Sequence, residues 1–287
     1  MVTGLSPLET LRVAQSPFAR VVKARGSLTT VLGLFNMRKT ESPWRDLRLR
    51  QAANMAINRA DLIRYAAKGN GTIIPALVTP HGFGYDQDLA PYPFDPDRTQ
   101  HLLRQAGYAN GLPVILLATR DLEVQATVVS KMLEHAGFQV ELRLLTPAAY
   151  NRQTLLSHLE QSPEQQAWDI ALTAHLDITN SPVFMTYHWF ALEGPYDWVN
   201  EQPELRQLYT QVKDTVDRDH QQEVLRQMER HAHDQAYFLF LYNSIALYAV
   251  NKAVEFVPYV NTLLTLAETG VTSEHWSMRK QKAAVHE

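Results

Sequence analysis

The chain contains no cysteine, which removes thiol nucleophiles, disulfides and thiolate metal sites together. It also lacks an excess of either charge: 27 lysines and arginines stand against 30 aspartates and glutamates, for a formal net charge of -3. Such a chain has no long-range field with which to gather polyanions, so nucleic acid is not an expected partner. No apolar run reaches the ~18 residues that a membrane helix needs. The opening residues MVTGLSPLET have no basic segment and meet Glu9 before any apolar run long enough to act as a signal. As written, the chain is expected to carry no means of leaving the cytoplasm or spanning a membrane.

Catalytic signatures are missing as well. There is no Gly-x-Ser-x-Gly, no His-Glu-x-x-His and no Gly-x-x-x-x-Gly-Lys, so an enzyme is not expected and no cofactor is implied. The best metal candidate is HAHD, with His231, His233 and Asp234. Residues two apart on a helix face away from each other, so only one histidine could join Asp234, and a solvated or capping role is the ordinary reading. No metal site is expected. The densest basic run, Arg279 to Lys282, lies at the C-terminus, where a solvated, frayed tail is the usual outcome.

What is present is an ordinary globular composition: 287 residues, 45% hydrophobic and 20% charged, enough to bury one sizeable core or two smaller ones. SPLETLRVAQ reads as a short helix with Ser6 as N-cap and Glu9 at the third position. SLTTVLGLFN (27–36) is β-branched and apolar, a buried strand ending at Asn36. Leu49, Ala52, Ala53 and Ala56 then share one helix face, and Asn58 with Asp61 can cap a second helix that buries Leu62, Ile63 and Ala66. Arg48 and Arg50, two apart, cannot form one basic face and are expected to be solvated or ion-paired beside a packing helix.

From 69 to 96, glycine, proline and aspartate crowd between aromatics, which predicts a long ordered surface loop. Its Gly-x-Gly follows a helix and does not lead from a strand into one, so it is no phosphate loop. Gly107 and Gly137 suit the left-handed position that ends a helix, each followed by an aromatic able to fold back. Strand 113–119, helix 121–136 and strand 138–145 make a βαβ unit, for which parallel pairing is the default. A strand at 168–174, helices at 203–215 and 219–235, and the apolar run AYFLFLYNSIALYAVNKAVEFV complete a mixed α/β sheet with flanking helices.

These stretches carry a resemblance. LGLFNMRKTESPWRDLRLRQAANMAINRADLI is similar to the segment of family 5 extracellular solute-binding proteins in which a strand ending in Phe-Asn precedes Pro, an aromatic, Asp and an Arg-x-Arg-x-Ala helix. PYPFDPDRTQHLLRQAGYANG resembles the same family's Tyr-x-x-Asp-Pro run, with Thr99 or Gln100 where a small alanine is usual. ELRQLYTQVKDTVDRDHQQEVLRQMERHAHDQAYFLFLY and LYAVNKAVEFVPY resemble its closing helix pair and return strand. The resemblance covers nearly the whole chain. It implies a lobe of a periplasmic-binding-protein-like fold, in a monomeric receptor that delivers a peptide or small solute to the membrane permease of an ABC importer, in the periplasm or outside the cell. A sensor or regulatory module reusing such a lobe is the alternative.

The family is longer than this chain, so the resemblance implies a C-terminal portion. On that basis residues 1–35 are a residual part of the first lobe with the crossover strand, 36–245 the far lobe, and 246–287 the return to the first lobe and a tail. In peptide-binding relatives a strand followed by an acidic group and a proline supplies the carboxylate for the ligand's amino terminus. Asp177 fits that place here, with Pro182 one residue further on and His175 or Ala174 where an aromatic is common. Loops at the carboxyl ends of strands in open α/β sheets are where ligands usually sit. Asp177 can equally cap or tighten a turn among its Asn, Ser and Pro neighbours. Asn36 at the strand end, His188 within TYHWF and Trp198 as a stacking platform complete the candidates, the last two being equally compatible with ordinary packing.

Overall fold

β2 (Thr29–Phe35) reads TTVLGLF and is buried along almost its whole length. A strand so uniformly apolar needs neighbours on both edges and cover on both faces. In the computed structural model, which describes residues 1–154, 161–181 and 203–278, it has both edges paired. β6 (Ile170–Leu176) and β7 (Phe238–Ser244) flank it, each antiparallel. Gly33 lets the flanking strands pack closely on β2: a Cβ there would meet Ile170 and Leu239 side chains at 3.0 Å.

The full sheet has six strands in the order β3-β7-β2-β6-β4-β5, with β3 at Gly71–Ile73, β4 at Leu112–Thr119 and β5 at Phe138–Leu145. β4 runs parallel to β5 and to β6, and the remaining pairs are antiparallel, so the sheet is mixed. The predicted βαβ unit is there as β4, α5 (Glu123–His135) and β5, paired from Leu112 with Phe138 to Thr119 with Leu145. Gly107 and Gly137 adopt φ of +92° and +108°, and the Tyr108 N–H returns to the Leu103 carbonyl at 2.8 Å, closing the end of α4 (Pro96–Gln105).

α2 (Leu47–Met55) and α3 (Arg59–Tyr65) follow the predicted stripe and cap. Leu49, Ala52, Ala53 and Ala56 are buried, and Asn58 Oδ1 accepts from the Asp61 N–H at 3.1 Å. The reciprocal Ser6 and Glu9 bonds also form, but α1 (Glu9–Ala14) starts later than the sequence predicts, with Leu8 and not Ser6 at its N-cap. Arg48 is exposed and paired with Asp46, as expected of a surface arginine. Arg50 corrects the sequence reading: it is buried, and its guanidinium donates to the carbonyls of Gln235 and Trp44. Burial holds its pKa down at about 10. Arg59 is likewise buried, donating to carbonyls of Phe240, Asn54, Ile57 and Tyr92 and to Asn54 Oδ1. Both arginines bind α2 and α3 to β7 and to Gln235 ahead of it by donating to backbone carbonyls, which keeps their own buried N–H groups satisfied.

The segment 69–96 is also more buried than its composition predicted. β3 pairs with β7, and Ile74, Ala76, Leu77 and Val78 join the interior. After β5 comes the short α6 (Pro147–Gln153), and two long helices, α7 (Pro203–Asp214) and α8 (Arg218–Asp234), lead into β7. Beyond it, β8 (Leu247–Asn251) leaves the large sheet and pairs with β1 (Ala19–Lys23), where Ala24, Tyr248, Val250 and Phe256 form a separate small core.

Candidate ligand-binding site

At the carboxyl end of β6 the chain turns at Asp177, which is 5% exposed. Its N–H donates to the Leu28 carbonyl, extending the ladder with β2 by one bond. Oδ1 accepts from the Thr179 N–H at 3.0 Å, the Thr179 hydroxyl at 2.9 Å and the Asn180 N–H at 2.8 Å. The turn-tightening role is thus in place, carried by one carboxylate oxygen. Oδ2 takes no hydrogen bond from the described residues. Asn180 has φ of +48°, a left-handed conformation that asparagine tolerates, and its Oδ1 accepts from the Phe83 N–H at 2.7 Å.

That bond joins the turn to a second wall, the loop 79–88. Several elements fix this loop. The Thr30 hydroxyl of β2 donates to the Leu77 carbonyl at 2.8 Å. The N–H groups of Leu77 and Val78 both donate to Glu229 Oε2 of α8, each at 2.8 Å. Arg230 pairs with the buried Asp86 at 2.6 Å, and the Arg218 guanidinium stacks 4.0 Å from the Phe83 ring centre. Gly84, at φ +90°, lies so close to α8 that a Cβ would meet Leu225 at 2.7 Å. Gly26, before β2, lies under the His81 ring, which a Cβ would overlap at 2.0 Å.

Between loop and helix lies an open polar cavity of about 440 Å³, lined by His81, Phe83, Tyr85, Asn180, Gln222 and Arg226 among others. Two carboxyl groups beside the cavity, outside its lining, have pKa values shifted in opposite directions. Hydrogen bonding to Arg230 holds the Asp86 carboxyl below the usual carboxylate range. Glu229 goes the other way: desolvation pushes its pKa up to about 7, against the pull of the two backbone N–H groups, and Asp86 adds to the rise. A second, mainly apolar groove of about 420 Å³ lies between α3 and α5 at Tyr65, Phe94, Val128 and Met132, and none of the candidate ligand contacts named from the sequence lines it.

The structure brings His175 and Asp177 to the same end of β6, with His175 buried and paired across the ladder with Thr30. Asn36 lies at the other end. It is buried beside the start of β6, where its Nδ2 donates to Gln166 Oε1 and to the Trp168 carbonyl, each at 3.3 Å. At 3.3 Å of rise per residue, the run from Ile170 to Asp177 puts roughly 23 Å between the two ends. His188, Trp198 and Pro182 lie outside the described residues. His231 and His233 meet different neighbours, as their spacing requires: His231 reaches the Tyr237 hydroxyl and Glu204, while His233 stacks on Tyr92 at 4.4 Å.

Asn180, Phe83 and Glu229 were not singled out in the sequence. An Asn two residues before a proline hints at a left-handed turn, but its partner is 97 residues away. Glu229 has no local signature at all.

The sequence itself matches a known family. The chain belongs to the bacterial extracellular solute-binding proteins, family 5, the model of whose middle region matches residues 2–197. The glutathione-binding protein GsiB of Escherichia coli K12 is 26% identical over 160 residues, which is 54% of this chain and 31% of that protein. The chain spans about half the length of its solved structural neighbours. CtaP of Listeria monocytogenes, an ABC transporter substrate-binding protein, superposes with a TM-score of 0.80 at 17% identity, covering 93% of this chain and 55% of CtaP. The Helicobacter pylori periplasmic binding protein DppA, solved with the peptide STSA, gives a TM-score of 0.78 at 19% identity, over 94% of this chain and 52% of DppA. At these identities the structural likeness is one of fold.

Proposed function

We propose that this chain forms the far lobe of the substrate-binding component of an ABC importer, which takes a peptide or other small solute between two lobes and delivers it to a membrane permease. The observation that carries the reading is the Asp177 turn: a carboxylate fixed through one oxygen, with its other oxygen taking no hydrogen bond from the described residues, at the carboxyl end of a sheet strand in a family 5 chain. Such a group suits the amino terminus of a peptide-like ligand, because an ammonium meets it at lower effective dielectric in a closed cleft than on an open surface. GsiB, named for binding glutathione, and DppA, solved with a peptide, are relatives of that chemical kind.

On this reading His175 supports the turn from the buried face of β6, and Asn36 belongs to the scaffold at the opposite sheet end. His188 and Trp198 remain proposed contacts from the segment beyond the turn. The protein acts by binding and release, as a monomer, in the periplasm or outside the cell. The pairing of β8 with β1 supports assigning residues after 245 to the first lobe, whereas the full-length pairing of β2 inside the large sheet supports counting that strand with the far lobe. A thermal-shift screen of the intact protein against glutathione, short peptides, sugars and metal chelates tests the function. Stabilisation by an amino-bearing solute is the expected result, and a response to none of these classes would refute the reading.

A further inference from the structure

Glu229 stands in the middle of α8 with its side chain buried and no cation paired with it among the described residues. A buried carboxyl of this kind is costly unless its oxygens are used. Here Oε2 takes both N–H groups of the Leu77–Val78 step, and those residues lead directly into the loop 79–88. The same loop reaches back through the Phe83 N–H to Asn180, whose own N–H holds Asp177 Oδ1. A continuous path of covalent and hydrogen bonds therefore runs from the interior of α8 to the carboxylate at the end of β6.

We propose that Glu229 is a positioning residue of the ligand site: its carboxyl clamps the base of the loop 79–88 against β2 and α8, and ionisation of that carboxyl loosens the wall facing the Asp177 turn. The effect on ligand binding rests on the functional reading above; the clamp itself does not. The groups that bear on Glu229 define the direction. Asp86 faces it from the loop as a like charge, itself held by Arg230, while the segment 74–79 offers only backbone N–H groups. Desolvation outweighs those bonds and raises the carboxyl to about 7. Opening the wall returns Glu229 to water, which favours the ionised form, so the wall is tightest in mild acid and loosens as pH rises through neutrality.

Amide hydrogen exchange on the intact protein tests this, read as protection factors of Leu77, Val78 and residues 82–85 between about pH 5 and pH 8. In the unsubstituted protein, protection at these amides is expected to fall at least roughly tenfold across that range, while amides of β4 and β5 change much less. Glu229→Gln keeps an acceptor for both N–H groups without a titrating charge, so its protection should stay high and flat with pH. Glu229→Leu, if it folds, should lose protection at Leu77 and Val78 at every pH. A flat profile in the unsubstituted protein, or the same pH slope in Glu229→Gln, would overturn the clamp. A glutathione titration of the same samples forms a separate arm. Binding that weakens with rising pH only in the unsubstituted protein ties the clamp to the site. Absence of glutathione binding counts against that ligand and leaves the exchange result to decide the clamp.

Discussion

Asn180 and Phe83 are joined by a 2.7 Å hydrogen bond from the Phe83 N–H to the Asn180 side-chain oxygen, and through it the turn after β6 holds the loop that faces it. The bond depends on Asn180 keeping φ at +48°. Asn180→Ala loses the acceptor and places an alanine in left-handed backbone, an expected loss on the order of 1 to 2 kcal/mol in urea denaturation. Asn180→Gly should recover the backbone part and not the bond. Equal losses in the two variants would show that backbone strain contributes nothing.

Arg48 of α2 and Arg59, which opens α3, should behave differently when replaced. Arg48 is exposed, and Arg48→Ala is expected to change stability by less than ~1 kcal/mol. Arg59→Met removes the guanidinium from four backbone carbonyls and from the Asn54 side-chain oxygen, which keeps only the Phe240 N–H, so a loss of at least ~3 kcal/mol is expected. Denaturation curves of the two variants, measured side by side, check the contrast.

Stability should depend on pH through Glu229. Its pKa is raised in the folded state to about 7 from an ordinary 4.5, so the folded form binds the extra proton between those values. The associated stability is fully present below the unfolded pKa and is lost as pH rises to the folded one, by on the order of 3 kcal/mol. Asp86, held low by Arg230, acts in the opposite sense and only in stronger acid. Melting temperatures of the unsubstituted protein and Glu229→Gln across this range are expected to converge in acid and separate at neutral pH, with Glu229→Gln the more stable.

Gly84 offers a check on the loop's contact with α8. Gly84→Ala meets both a left-handed φ and the Leu225 side chain, so the loop must shift outward. The expected outcome is faster amide exchange across residues 82–85 with little change in the β4–β5 pair.

Local chemistry made much of this fold legible. Asn58 with Asp61, Ser6 with Glu9, and the glycines at 107 and 137 act within a few residues of themselves, and each is found doing what its position requires. Burial of Arg50 could not be read the same way, because its acceptor Gln235 lies 185 residues on and surface arginines share its local pattern. The segment 74–79 misled for a related reason: its turn-forming composition is local, while its burial depends on Thr30 and on Glu229 over 150 residues away. At the site, Asp177 was visible through its strand and turn, but the loop facing it was not.

The most direct test is calorimetric titration of the intact protein with the amino-bearing ligand returned by the screen, comparing the unsubstituted protein with Asp177→Asn. The amide oxygen can still accept the three turn bonds, so the melting temperature should hold while affinity falls by on the order of 1 to 3 kcal/mol, as for a lost charge-assisted hydrogen bond. Unchanged affinity together with a lowered melting temperature would contradict the ligand role and leave Asp177 as a turn residue alone.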